Sequence, residues 1–221
     1  MSGSHATLEQ SAEQPFLRHH FHDLQQQAQA SKIGMWLFLV TEILLFGGVF
    51  VGYGIMRTLH ADAFHHGHLY LDRWLGALNT IVLLISSFTM AMAVHSARTG
   101  ERRRLIAFLT ATLALAGAFL GVKYVEYSHK FHEGLVPGRF YHHSGEAPPG
   151  TPIFFSFYFV MTGLHGLHVL AGMVLITWLL RRAARGDFSR AYYNPVDLGG
   201  LYWHLVDMIW IYLFPLLYLI S

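Results

Sequence analysis

Two histidines stand three residues apart inside FYFVMTGLHGLHVLAG, a stretch from Phe157 to Gly172 that is otherwise almost wholly apolar. On a helix His165 and His168 share one face. A second such pair, His204 and Asp207, lies in YWHLVDMIW, and a carboxylate, Glu42, stands within FLVTEILLFGGVF. These types and spacings allow three chemistries. HxxH and HxxD could ligate haem or copper. Glu42 and Asp207 could be stations of a proton path. All five groups could instead hydrogen-bond between helices and clasp lipid headgroups or a partner subunit. A metal site needs converging ligands with fixed tautomers and a supporting shell. Imidazoles at i and i+3 can converge on one ion, but they do not suit the opposite axial faces of one haem. Eight further histidines, His60, His65, His66, His68, His129, His132, His142 and His143, fall in two polar segments. HHGH has the composition of a metal tract, but no carboxylate or thiol constellation accompanies it.

The elements that carry these groups are long apolar runs. Of 221 residues, 53% are hydrophobic and 13% charged, against about 25% charged in a soluble domain. That deficit points to lipid as solvent. No cysteine is present, which excludes disulfides, thiolate metal sites and cysteine nucleophiles. The net charge is +2 with no concentrated basic patch, so nucleic acid is not an expected partner. Apolar runs cover residues 33–56, 74–94, 105–125, 152–180 and 198–220. Each reaches the roughly 20 residues that cross a bilayer as a helix. A soluble bundle would need more polar residues to cover its outer face. The expected fold is all-α: a polytopic membrane bundle of five transmembrane helices over 33–221. It follows a polar tail over 1–32 that carries QQQAQA, His19, His20 and His22 and is expected to be surface-lying or disordered rather than a signal peptide.

Basic residues set the expected orientation. Arg18, Lys32, Arg98, Arg102, Arg103, Arg104, Arg181, Arg182, Arg185 and Arg190 flank the spans on one side; Arg57, Arg73, Lys130 and Arg139 flank them on the other. This ten-to-four bias puts the N-terminus in the cytoplasm and the C-terminus in the periplasm. Lys123 and Glu126 close the third span near the outer surface, where they are expected to reach water or headgroups. Gly48 with Gly52 and Gly117 with Gly121 form GxxxG pairs, and Gly163 and Gly166 thin the fourth span beside its histidines. Such residues let a second backbone approach. No Walker loop, GxSxG elbow or HExxH is present. Five spans also do not divide into the equal halves of an inverted-repeat transporter. A stand-alone transporter stays open only through Glu42 and Asp207.

Taken in order, MWLFLVTEILLFGGVF, LNTIVLLISSFTMAMAVHSARTG, AGAFLGVKYVEY, FYFVMTGLHGLHVLAG and GGLYWHLVDMIWIYLF resemble subunit III of the haem–copper respiratory oxidases. The resemblance covers nearly the whole chain from Ser31 onward, and TGxHGxHV and YWHxVDxxW are its specific elements. It implies a non-catalytic, multi-pass subunit of a bacterial plasma-membrane oxidase. Partner subunits hold haem and copper, pass electrons from cytochrome c to dioxygen and pump protons; this chain binds no metal. Subunit I is the main contact, with subunit II, phospholipids, and cytochrome c or another respiratory complex reached through the assembly. The chain binds structural phospholipid, keeps subunit I active and supports its proton uptake. Glu42 matches the family's buried carboxylate, His165 and His168 its HGxH pair, and Trp203, His204 and Asp207 its last motif. Arg182, Trp203 and His204 are the implied lipid-binding residues.

Set against the seven spans of many members, the chain is expected to be a five-span bacterial form without the first two. Another chain, such as an extended subunit I, then supplies the missing wall of the lipid cleft, or the cleft is open. The histidine-rich segments match no family role. Glu42 stands where quinol-oxidase subunits often carry Asp, which tilts the reading toward cytochrome c. A quinol oxidase subunit III and a nitric-oxide-reductase-associated subunit are the alternatives.

Overall fold

The computed structural model describes residues 21–137, 148 and 150–219. Arg18, His19, His20, Arg139, His142, His143 and Ser221 lie outside the described residues. Among those described, the chain forms six helices: α1 Leu24–Leu59, α2 Ala61–His68, α3 Arg73–Thr99, α4 Arg102–His132, α5 Thr151–Arg185 and α6 Asn194–Tyr218. All but α2 are long and apolar enough to cross a membrane, and each contains one of the expected apolar runs, the last of them up to residue 218.

The helices overrun those runs. α1 begins at Leu24, so residues 24–32 are not a disordered tail. Their Gln and Ala residues are good helix formers, with no Gly or Pro to stop the turn. α3 is closed at both ends. Asp72 accepts hydrogen bonds from the backbone N–H of Trp74 (2.8 Å) and Leu75 (3.2 Å), satisfying donors that the helix start leaves free. Gly100 ends it at φ +77°, a conformation that penalises any Cβ. Gly186 does the same for α5 at φ +85°. α2 interrupts what reads as a polar loop. Phe64 is buried and packs edge-on to Tyr53 (5.2 Å) and Phe154 (5.5 Å), which seats α2 on α5.

Two compact units divide the chain, Met1–Glu42 and Ile43–Ser221. In the second, α3 packs on α4 and α6, and α5 packs on the same two helices. α6 is the most enclosed span, with 56% of its most apolar window buried against 28% for α3 and α4. Glycines permit its close approach. A Cβ at Gly172 would stand 2.6 Å from the Trp203 ring, at Gly76 2.8 Å from Phe214, and at Gly200 2.8 Å from Val94. In lipid such interlocking, with hydrogen bonds between helices, replaces the hydrophobic effect as the force holding helices together.

Candidate functional site: a polar core between the helices

Lys123 and Glu126 are on α4 one turn apart, and both are buried. The expectation that they reach water or headgroups is therefore corrected: they turn inward and meet each other. Lys123 Nζ donates to Glu126 Oε2 (2.9 Å), to the Tyr218 hydroxyl (2.9 Å) and to the Tyr158 hydroxyl (3.3 Å). Glu126 Oε1 accepts from Tyr158 (2.9 Å) and Tyr218 (2.5 Å). The ammonium also lies 5.1–5.6 Å from the ring centres of Tyr127, Tyr158, Trp210 and Tyr218, within cation–π range. One ion pair thus joins α4, α5 and the last turn of α6. The i,i+3 spacing of opposite charges is a signal from which the pair could have been read. Nothing local signalled the tyrosines, which come from two other helices.

A seam of polar bonds runs along α3 and α6. Trp203 Nε1 donates to Ser86 Oγ (3.0 Å), His204 Nδ1 pairs with Ser87 Oγ (2.8 Å), and Trp210 Nε1 donates to Thr80 Oγ1 (3.1 Å). Sequence reasoning singled out the α6 side of this seam and missed its α3 side, the N-T and S-S of LNTIVLLISSFT. Asp207 is buried on the same helix as His204, one turn further on, and its carboxylate faces the Ser87 hydroxyl on α3.

His165 and His168 do not converge. The buried His165 ring packs against Trp210 (5.3 Å) and Phe119 (5.5 Å). His168 turns to Phe46 (5.2 Å) and its Nδ1 donates to the Leu164 carbonyl (2.8 Å). Among the described residues no three His, Cys, Asp or Glu side chains gather as a metal site. Glu42 closes the first unit, half-buried on α1 beside Thr41, whose hydroxyl donates to the Phe38 carbonyl (2.6 Å). Arg182 bonds Asp187 (2.9 Å) and lies over the rings of Trp178, Phe188 and Tyr192. The glycine pairs make no tight contact among the described residues. A Cβ would meet none of them within 4 Å at Gly48, Gly117, Gly121 or Gly166, and would meet Phe157 at 3.6 Å at Gly52 and Tyr127 at 3.8 Å at Gly163. GxxxG spacing places small residues on one face but does not say which face a neighbour takes.

Two grooves open on the apolar surface. One, of about 370 Å³, runs between the second half of α1 and α6, lined by Phe46, Gly47, Phe50, Leu205, Met208 and Tyr212. The other, of about 230 Å³, lies between α4 and α5 over Leu120, Tyr124, Gly163, Gly166 and Leu170. Outside the spans, His68 is buried at the end of α2 and its Nε2 accepts from Arg73 (3.0 Å). Burial, reinforced by the Arg73 charge, lowers the His68 pKa below the usual 6.5.

Residues 9–221 match the family model described as cytochrome c oxidase subunit III. The chain is 32% identical over 189 residues to quinol oxidase subunit 3 of Bacillus subtilis, covering 86% of each chain. It is 32% identical over 190 residues to cytochrome c oxidase subunit 3 of Thermostichus vulcanus, covering 86% of this chain and 87% of that one. To cytochrome bo(3) ubiquinol oxidase subunit 3 of Pseudomonas aeruginosa it is 30% identical over 203 residues, 91% of each.

Proposed function

Because the chain belongs to the cytochrome c oxidase subunit III family, and so is a multi-pass subunit of a haem–copper oxidase complex in the bacterial plasma membrane, we propose that it is a non-catalytic subunit. In this reading it packs against subunit I, beside subunit II, and those partners carry the haem, the copper and the oxygen chemistry. The carrying observation is the divergence of His165 and His168 toward different neighbours. Lys123, Glu126, Thr80, Ser86 and Ser87 are spent on bonds that join helices. The groove between α1 and α6 is apolar and is edged by the exposed side chains of Met208 and Tyr212, which suits a phospholipid acyl chain held against subunit I. Cytochrome c is the proposed donor; relatives named for quinol as well as for cytochrome c support a quinol-fed complex as the second reading.

The test is purification of the native complex in mild detergent. Subunit I with its haem should co-purify, with phospholipid retained, and the isolated chain should show no Soret band and no metal by elemental analysis. Recovery of the chain without any haem protein, or haem bound to the chain alone, overturns the proposal. Turnover of the purified complex with reduced cytochrome c and with quinol separates the two donors.

A further inference from the structure

Exposed hydroxyls on the spans, as at Thr41 and Thr110, donate to a carbonyl of their own helix, so they present no spare proton to lipid. His204 differs. It lies near the middle of α6, and its Nδ1 pairs with Ser87 Oγ (2.8 Å) near the middle of α3. The Ser87 hydroxyl also faces the Asp207 carboxylate, so this side of the ring is committed to the bundle. The other ring nitrogen, Nε2, has no hydrogen-bond partner among the described residues, and it is not one of their enclosed atoms. His204 is half-buried, whereas Trp203 and Leu205 on either side of it are buried. Nε2 therefore reaches the surface of the bundle, midway along two helices of membrane-spanning length.

A ring nitrogen facing acyl chains has nothing to pair with, and leaving it so is costly. Ionisable groups inside spans turn to a bundle interior or find a partner. A lipid headgroup is too far away, because the hydrocarbon core is about 30 Å thick and its middle is about 15 Å from either surface. Another helix is the remaining source of a polar group at that depth. The surface around His204 suits one. Met208, one turn along α6, is 52% exposed, and Leu84, one turn from Ser87 on α3, is 50% exposed. Ala91, one turn from Ser87 in the other direction, is exposed and small. A helix laid here can approach closely over Ala91, while Leu84 and Met208 seal the polar contact from lipid.

We propose that the outer face of α3 and α6 around His204 docks on a membrane-spanning helix of subunit I, and that a hydroxyl or carboxamide side chain of that helix bonds His204 Nε2. The inference rests on the reading that the chain packs against subunit I, and it adds which face does so. A hydroxyl or a carboxamide both donates and accepts, so it fits either tautomer of the imidazole. A charged partner would need a counter-ion of its own at that depth. The line from Asp207 through Ser87 to His204 then continues across the interface, so one contact ties the partner to α3 and α6 together.

The experiment is photocrosslinking of the full oxidase in its native membrane. p-Benzoylphenylalanine is placed at Leu84, at Met208 or, for comparison, at Leu167, which is exposed on α5. Adducts with subunit I are expected from the first two positions and not from the third. Adducts of the first two with another subunit, with a second copy of this chain or with lipid alone overturn the proposal, as does an adduct with subunit I from Leu167 instead. Recovery of haem-bearing subunit I with the unsubstituted chain, measured alongside, separates the two failures: if it is recovered, only the docking face is wrong, and if not, packing on subunit I is wrong as well. A second measurement reads the hydrogen bond. His204→Leu should lower the fraction of the chain retained on subunit I through detergent purification several-fold, and His204→Gln, which keeps a donor and an acceptor, should retain most of it. Ser87→Ala removes the partner within the chain and leaves Nε2 in place, so it should lose less than His204→Leu. Native retention in His204→Leu, or equal losses in His204→Leu and Ser87→Ala, counts against the bond between subunits.

Discussion

At the residue scale, the Lys123–Glu126 pair is where a single change should be felt most. Both charges are buried, and removing one partner strands the other in an apolar medium. Lys123→Met should therefore cost about 3–5 kcal/mol, read as a lower thermal midpoint of the complex. Adding Glu126→Gln should recover part of that loss, since the amide is neutral and its oxygen still accepts from Tyr158 and Tyr218. Equal losses in the single and double variants would show that charge burial is not the cause. His68 gives a pH signature. Burial first, and then the Arg73 guanidinium, depress its pKa in the folded chain, so the unfolded chain takes up the proton first as pH falls. Stability attributable to His68 is then present above about pH 6.5 and lost below it. Melting should fall more steeply from pH 7.5 to 5.5 in the native chain than in His68→Gln, and identical slopes would sink the assignment. How legible these residues were depends on where their partners come from. Asp207 and His204 stand out because an ionisable group inside a span is costly and rare. Thr80, Ser86 and Ser87 carry no such signal, because small polar residues are common in membrane helices; what gives them a role is α6 beside them, where Trp210, Trp203 and His204 are their partners. Lys123 and Glu126 were seen but turned the wrong way, because an end-of-span position says nothing about which side of the helix faces the bundle.

At the element scale, the glycines separate close approach from mere composition. Gly172 meets the Trp203 ring, where a Cβ would stand at 2.6 Å, and that indole is fixed by its bond to Ser86. Gly172→Ala should cost about 1–3 kcal/mol by overpacking. Gly121 has nothing within 4 Å, and alanine is the better helix former by about 1 kcal/mol, so Gly121→Ala should leave the midpoint unchanged or raise it. Thermal melting of the two purified complexes compares them, and equal losses would contradict this ranking. The five spans were readable because an apolar run of bilayer length belongs in lipid far more often than in a soluble core. Their ends were not, since helix-forming polar residues extend α1 back to Leu24 and α4 on to His132. α2 was hidden for a related reason. Eight residues rich in histidine carry little periodic signal, and what holds them helical is Phe64 docked between Tyr53 and Phe154.

At the scale of the whole molecule, five helices long and apolar enough to cross a membrane are expected to leave the two ends of the chain on opposite sides, and the question to test is which side is which. The basic bias predicts that the α3–α4 and α5–α6 connections lie in the cytoplasm. The same arginines also tie helix ends together there. Arg98 pairs with Asp197 at the start of α6, Arg102 donates to the carbonyls of Ala183 and Ala184 at the end of α5, and Arg190 donates to the Thr99 carbonyl that closes α3. Arginines at helix C-termini satisfy free carbonyls and oppose the negative end of the helix dipole, so part of the ten-to-four bias serves the fold, and orientation needs its own measurement. The absence of cysteine makes that measurement clean, because one introduced thiol is the only thiol in the chain. Ser189 is exposed between α5 and α6, and His132 is exposed at the end of α4. With a membrane-impermeant maleimide on spheroplasts, His132→Cys should label at once and Ser189→Cys only after the membrane is opened. The reverse pattern would invert the molecule, place the arginine-laced end outside, and leave helix capping as the whole reason for those arginines.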